Sequence, residues 1–413
     1  MTNPELLPRL AARAVEQAAR VNPVVFLIGP RQSGKSTLLQ GLARVQGREV
    51  LLLDDPDTRA LVREDPLAVL EAGPPLVIDE IQREPALVLA LKRAVDRMGT
   101  RRRRGHYLVT GSANPLTMKQ VADSLTGRAT YVRLRSMTRR ETLSQAAAGA
   151  WDVLLAQPAE RWVKALAALA LPPADWREQV RAGGFPWPAV HLTHAKERTA
   201  WFASYIQAHL DRDVREITQI ENALDYHRLM QAAALRIGGL LNQTELGRDT
   251  GLAQVQVHRW LALMETAFQL TRVSSFARNR TTRLIKAPKL YWFDAGLAMF
   301  LAGTSSPTGA HFENLVLSDL LSWSDHAGPH SAVTYWRTAG GREVDFVLEG
   351  PSGELLGIEL KSGRSVRPAD ARHLREFVAD RSKERAKGVL LYAGDRAIAL
   401  YDRIVALPWW MVL

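Results

Sequence analysis

One octapeptide near the start of the chain constrains the fold more than any other feature: Gly29-Pro-Arg-Gln-Ser-Gly34-Lys35-Ser36. It stands between a short continuous apolar run, Val24-Val-Phe-Leu-Ile28, and a helix-starting stretch, Ser36-Thr37-Leu-Leu-Gln-Gly-Leu42. An apolar run of that length suits a parallel strand buried on both faces. Glycines between such a strand and a helix let backbone N–H groups turn inward around a phosphate, and the positive end of the helix adds to the attraction. In that arrangement Gly29, Pro30, Arg31, Gln32, Ser33, Gly34, Lys35, Ser36 and Thr37 cradle the phosphates of a nucleotide. Lys35 reaches the β- and γ-phosphates, and the Ser36 hydroxyl holds Mg²⁺. ATP and Mg²⁺ are the cofactors expected.

The text that follows repeats the pattern of short apolar runs, at Val50–Leu53, Leu76–Ile78, Tyr107–Val109 and Thr130–Leu134, with helical spacing between them, notably over Pro85–Met98. Strands alternating with helices predict an α/β domain with a parallel sheet over residues 1–135. The run Leu76-Val-Ile-Asp79-Glu80 ends in two carboxylates. Asp79 is placed to hold Mg²⁺, and Glu80 to polarise the attacking water as a general base, which argues for hydrolysis over mere nucleotide binding. Thr110 and Ser112 end a further strand, which is expected beside the acidic one, where either senses the γ-phosphate. Arg128, in Leu125-Thr-Gly-Arg128, is the candidate for an arginine finger supplied to a neighbouring subunit. The alternatives are a strand capped by acidic residues, a plain strand-to-helix turn and a surface arginine.

Three further segments are expected. Residues 136–230 are rich in Ala, Leu and Trp at helical spacing, with a break at Gly183-Gly184-Phe185-Pro186, and read as a helical lid or connector. Within 231–305, a helix begins at Asn242 and a second runs from Gln254 to Thr266 with Val255, Val257 and Leu261 inward. Strand-like pieces at Phe268–Val273 and Leu290–Phe293 flank Arg278, Arg280, Arg283 and Lys286, which gives the outline of a winged helix-turn-helix. Residues 306–413 read as a small α/β domain. Its helix carries Glu313, and its strands cover Val333–Arg337, Glu343–Leu348, Leu355–Leu360, Val389–Tyr392 and Ile398–Tyr401.

That last segment holds a second constellation, Glu343-Val-Asp345 followed by Glu359-Leu-Lys361. Residues two apart on a strand share a face, so Glu359 and Lys361 point the same way. A hairpin turned at Gly350-Pro-Ser-Gly353 brings Asp345 opposite Glu359, and Glu313 joins from the preceding helix. Oxygen ligands of this kind hold Mg²⁺, while Lys361 activates water and stabilises phosphorane charge. This is the D…E-x-K arrangement of restriction-type nucleases. The alternative is an exposed hairpin with an ion pair between Glu359 and Lys361.

The chain of 413 residues carries 44 Arg and 10 Lys against 43 acidic residues, a formal charge of +11. An arginine excess suits phosphate contact, and it equally suits a genome that prefers arginine codons. Cysteine is absent, which excludes a disulfide framework, a thiolate zinc site and a catalytic thiol. No apolar run is long enough to span a membrane, and the first 21 residues are broken by Pro, Arg and Glu, so a cytoplasmic chain is expected.

Taken with these motifs, Leu53-Asp54-Asp55-Pro56, Gly183-Gly-Phe-Pro186, Lys289-Leu-Tyr-Trp-Phe-Asp294-Ala-Gly296-Leu and Phe312-Glu313-Asn314-Leu make the chain resemble a bacterial and archaeal family of AAA-type ATPases with a C-terminal restriction-endonuclease-like domain. The resemblance implies an ATPase core, a winged-helix segment, a nuclease-like tail and an oligomer, in many such proteins a ring, in which Arg128 acts across subunits. Trp187 departs from it, standing where that family usually has an acidic residue. Two functions are expected to compete. One is a motor or remodeller of duplex or branched DNA. The other is a nucleotide-driven regulatory switch for protein partners, its nuclease-like part a scaffold.

Overall fold

The computed structural model describes residues 6–71, 73–98, 104–111, 125–208, 223–277, 286–326, 332–350, 352–381 and 385–413. They divide into two compact units. The first is Met1–Arg135 with Ser144–Ala146 and Thr266–Phe268; the second is Ser136–Leu143, Ala147–Glu265 and Gln269–Leu413.

The first unit is built on five parallel strands, β1 (Val24–Ile28), β2 (Glu49–Leu52), β3 (Leu76–Asp79), β4 (Tyr107–Gly111) and β5 (Ala129–Arg133), in the order β2-β3-β4-β1-β5. Alternate residues of β1 serve opposite faces. Val24, Phe26 and Ile28 pack with Leu87, Leu91 and Val95 of the helix Ala86–Arg97, while Val25 and Leu27 pack with Leu39 and Ala43 of the helix Lys35–Gln46. The helix Leu10–Val21 adds Ala11, Val15 and Ala18 to that second face. Both faces are therefore covered, as a parallel sheet requires. The strand expected at Val50–Leu53 forms at the sheet edge, where Val50 is 39% and Leu52 42% exposed. This order sets β1 between β4 and β5, with the end of β3 one strand away across β4.

In the second unit, helices fill residues 151–208 and 223–266, and two antiparallel strands follow, β6 (Leu270–Val273) and β7 (Lys289–Trp292). The helices Ala295–Leu301 and Gly309–Ser324 lead into a six-stranded mixed sheet, β12-β13-β11-β10-β9-β8. Its strands are β8 (Val333–Arg337), β9 (Glu343–Glu349), β10 (Leu355–Lys361), β11 (Lys387–Tyr392), β12 (Ile398–Tyr401) and β13 (Ile404–Pro408). The segments expected at 136–230, 231–305 and 306–413 share one apolar cluster that runs from Trp151 through Trp260 and Leu297 to Val412. β13 was not expected; its five residues follow β12 after a two-residue turn and run straight into the helix Trp409–Val412. Val255, expected inward, is 81% exposed; of the three residues expected inward on that helix, Val257 and Leu261 take its buried face.

Two buried carboxylates brace this unit. Asp294 caps the helix Ala295–Leu301 by accepting from Leu297 N at 2.9 Å, and it also accepts from Gly184 N. A side chain at Gly183 (φ +67°) would meet the Asp294 carboxylate at 2.6 Å, which accounts for the paired glycines. Asp319 Oδ1 accepts from Gly149 N and Trp151 Nε1, each at 2.7 Å. Burial pushes both carboxyls up to about 6. Among the described residues no helix is long and apolar enough to cross a membrane.

Candidate functional site

The octapeptide occupies the carboxyl end of β1 and opens the helix Lys35–Gln46. Gly34 takes the left-handed conformation (φ +94°), and a Cβ on Gly29 would lie 2.6 Å from the Leu134 carbonyl oxygen, so neither position tolerates a side chain. Lys35 is buried, and its Nζ donates to the Pro30 carbonyl at 2.8 Å, inside the curl of the loop. Ser33 Oγ donates to the same carbonyl at 2.8 Å.

The second half of the site is a bonded chain across two adjacent strands. Ser36 Oγ donates to Asp79 Oδ1 at 2.9 Å, Thr110 Oγ1 donates to the same oxygen, and Glu80 N donates to Thr110 Oγ1 at 2.9 Å. The hydroxyl and the carboxylate expected to share Mg²⁺ therefore touch each other, a donor set of hard oxygens that suits this ion. Glu80 sits in the left-handed region (φ +57°), and its carboxylate accepts from Gln82 Nε2. Ser112 lies outside the described residues, as do Arg278, Arg280 and Arg283 of the basic hairpin. Arg128 is not brought to this site within its own chain. Its carbonyl accepts from Val24 N at the amino end of β1, and its side chain pairs with Asp96 at 2.7 Å. Five residues of strand, roughly 16 Å, separate it from the loop.

Arg9 was missed. It is buried, with Nη1 donating to Ser33 O at 3.0 Å and Nη2 to Arg135 O at 2.8 Å, so it ties the loop to the end of the first unit. As one of 44 arginines it gave no signal in the sequence. Replacing it by alanine removes two charge-assisted bonds to the loop, and we expect the affinity for ATP to fall about tenfold or more. Unchanged ATP affinity in a titration of Arg9→Ala would rule out this positioning role.

The carboxylate constellation assembles in the second unit. β9 and β10 pair antiparallel with Ile358 opposite Phe346, a register that sets Glu359 opposite Asp345 as the hairpin predicts. Asp345 Oδ2 accepts from Leu360 N at 2.9 Å, and Lys361 Nζ donates to Glu359 Oε1 at 2.8 Å. Glu313 joins from the helix Gly309–Ser324, its Oε2 accepting from Tyr291 OH at 3.0 Å. Burial is the main cause that pushes Glu313 and Glu359 up to about 8, and the Asp345 charge adds to it in both. Burial raises Asp345 as well.

A cation missed in the sequence accompanies them. Lys289 Nζ lies 2.5 Å from Glu343 Oε1, 3.8 Å from Glu313 Oε2 and 3.8 Å from Asp345 Oδ1. Because Lys289 already brings its charge to these carboxylates, the metal cage expected from Glu313, Asp345 and Glu359 is not formed as such. Among the described residues no group of three or more His, Cys, Asp or Glu is arranged to hold a metal ion. The donor set still suits a hard divalent cation, because Glu359 Oε2 is buried without a hydrogen-bond partner. Composition held a trace of this cluster. Lysine is rare in the chain, yet Lys35, Lys289 and Lys361, three of its 10 lysines, stand at the two sites. A compact ammonium fits such points where a planar guanidinium does not.

Comparison with known proteins bears on the first unit. Residues 21–143 match the family model described as AAA domain, which supports an AAA-type ATPase core. Residues 173–308 and 308–412 match two models, each described as a domain of unknown function (DUF8612 and DUF4143). The uncharacterized proteins Rv2008c of Mycobacterium tuberculosis and Mb2031c of Mycobacterium bovis are each 28% identical over 408 residues, covering 97% of this chain and 83% of theirs. Among solved structures, a Walker-type ATPase of Pyrococcus abyssi aligns over 72% of this chain and 99% of its own, at 15% identity and a TM-score of 0.44. A single-substitution variant of Thermotoga maritima RuvB aligns over 64% and 86%, at 19% identity and a TM-score of 0.28.

Proposed function

We propose that this chain, with its AAA-type core, hydrolyses ATP to act on duplex or branched DNA, and that its second unit carries a nuclease-like centre with a divalent cation. The observation that carries the hydrolysis is the bonded chain Ser36–Asp79–Thr110–Glu80 at the carboxyl edge of the parallel sheet, beside the loop that opens the helix Lys35–Gln46. Bound ATP and Mg²⁺ supply the phosphoryl group and the positive charge that steadies it. The loop N–H groups and Lys35 hold the phosphates, Ser36 and Asp79 hold the cation, and Thr110 fixes Asp79 and the Glu80 backbone together. Glu80 takes the proton of the attacking water once Gln82 releases its carboxylate. Arg128 serves the nucleotide of a neighbouring subunit in a homo-oligomer, where Asp96 must give it up.

Support for DNA comes from three sources. The formal charge is +11. The helices Gln243–Thr250 and Gln254–Thr266 precede the hairpin β6–β7 in the order of a winged helix-turn-helix. A groove of about 630 Å³ beside them is lined by Asn242, Gln243, Gln254, Arg272 and Lys286, donors suited to phosphate. DNA binding resting on about six such contacts should weaken about a thousandfold between 50 and 200 mM salt. A titration of a fluorescent duplex at several salt concentrations measures this. Weak binding that ignores salt would instead favour the protein-partner switch, a reading that the Lys289 ammonium among the carboxylates also supports.

A further inference from the structure

The carboxylates of the second unit differ in how fully they are satisfied. Glu343 has two cations, Lys289 at 2.5 Å and Arg337 at 3.2 Å. Glu313 and Asp345 each see Lys289 only at 3.8 Å, which is charge without a hydrogen bond. Their fixed partners, Tyr291 OH and Leu360 N, orient them but bring no charge. Glu359 keeps one oxygen on Lys361 and leaves the other buried with no hydrogen-bond partner. Three carboxylates from a helix and two strands are thus each half-coordinated, and a single buried ammonium, 3% exposed, serves two of them from a distance.

We propose that Lys289 is the resident cation of this centre, and that a divalent cation held by Glu313, Asp345 and Glu359 competes with its ammonium. The inference rests on the metal-centre reading above. A divalent cation takes oxygen ligands at roughly 2.0–2.6 Å and carries twice the charge, so it satisfies carboxylates that an ammonium at 3.8 Å only balances. The Lys289 ammonium is already held outside the set of three, bonded to Glu343 at 2.5 Å with the Tyr335 ring centroid 5.7 Å from Nζ, so these two contacts can keep it when the cation enters. A guanidinium, wider and planar, could neither share three carboxylates from this point nor withdraw as easily. Lys289 is a positioning residue in this scheme. It sets the affinity of the centre for its cation and keeps the carboxylates assembled until the cation arrives.

The test is Mn²⁺ binding to the full-length, nucleotide-free chain by calorimetry, with thermal unfolding in EDTA and in Mn²⁺ beside it. Lys289→Met should bind Mn²⁺ at least about tenfold more tightly than wild type, and its melting temperature should depend on Mn²⁺ far more steeply. Lys289→Arg, which keeps the charge, should bind more weakly than wild type. Asp345→Asn should lose the site in every background. Equal affinity in wild type and Lys289→Met would overturn the competition while leaving the metal centre standing. A Lys289→Met chain that stays unfolded in saturating Mn²⁺ would overturn it too, because the divalent cation then fails to replace the ammonium. Absence of Mn²⁺ binding in wild type, Lys289→Met and Lys289→Arg alike, or a gain in affinity in Lys289→Met that survives Asp345→Asn, would remove both the inference and the metal-centre reading.

Discussion

Lys35→Ala should lower ATP turnover about a hundred- to a thousandfold while the chain stays folded, the loss typical of removing one preorganised group from a site of developing charge. Lys35 is buried inside the curl of the loop, with Nζ on the Pro30 carbonyl. Under the proposed function its removal takes a positive charge from the phosphates, and it rids the fold of a buried ammonium, which is expensive to keep there. Melting temperature should therefore change little. Hydrolysis in Lys35→Ala at more than a tenth of the wild-type rate would remove the assignment of the octapeptide to the phosphates.

Asp294→Ala should destabilise the second unit by about 3 to 5 kcal/mol, the sum of a lost helix cap and a buried amide left without an acceptor. Asp294 is 1% exposed and accepts from Leu297 N and Gly184 N, so no water replaces it. Urea unfolding followed by tryptophan fluorescence reads this unit, since Trp151, Trp162, Trp176 and Trp292 all lie in its core. A loss below about 1 kcal/mol would mean that the carboxylate does not hold the two segments together. The same carboxylate makes a pH prediction. Asp294 and Asp319 are both raised to about 6 in the fold, above the ordinary aspartate range. A raised pKa means that the native state binds the proton more tightly than the unfolded chain. Their contribution is fully present below about pH 4 and is lost as pH rises through 6, at most about 3 kcal/mol for each carboxyl. Asp294→Ala should shrink that slope.

The legible part of the sequence was whatever needs contiguous residues. Glycines between an apolar run and a helix start are a local signal, so the strand, loop and helix around Gly29, Gly34, Lys35 and Ser36 were legible, and the five runs became five parallel strands. The meeting of Asp345 with Glu359 was legible for a similar reason, because one tight turn fixes the register of a hairpin. Contacts between distant segments were not. Arg9 reaches Arg135 across 126 residues, and Lys289 comes from the hairpin β6–β7 to carboxylates on β9 and on the helix Gly309–Ser324. Neither carries a local pattern, since a single charged residue reads as surface until its partners are known. Arg128 shows the limit of a local motif: a Gly-Arg dipeptide suggests a finger for a neighbouring subunit, and within its own chain Arg128 lies at the amino end of β1, paired with Asp96. Val255 looked inward by spacing alone, while that helix buries a narrower stripe through Val257, Trp260, Leu261 and Met264.

The central claim is that ATP hydrolysis in the first unit serves DNA, and the most direct measurement is ATP turnover by the full chain in Mg²⁺ with no DNA, single-stranded DNA, duplex DNA or a four-way junction. The same reactions run on a gel report cleavage. Turnover that rises at least about fivefold with duplex or junction DNA, and is absent in Lys35→Ala, is the predicted result. Turnover indifferent to every DNA form, with no cut strand, would contradict it and leave a nucleotide switch that answers to a protein.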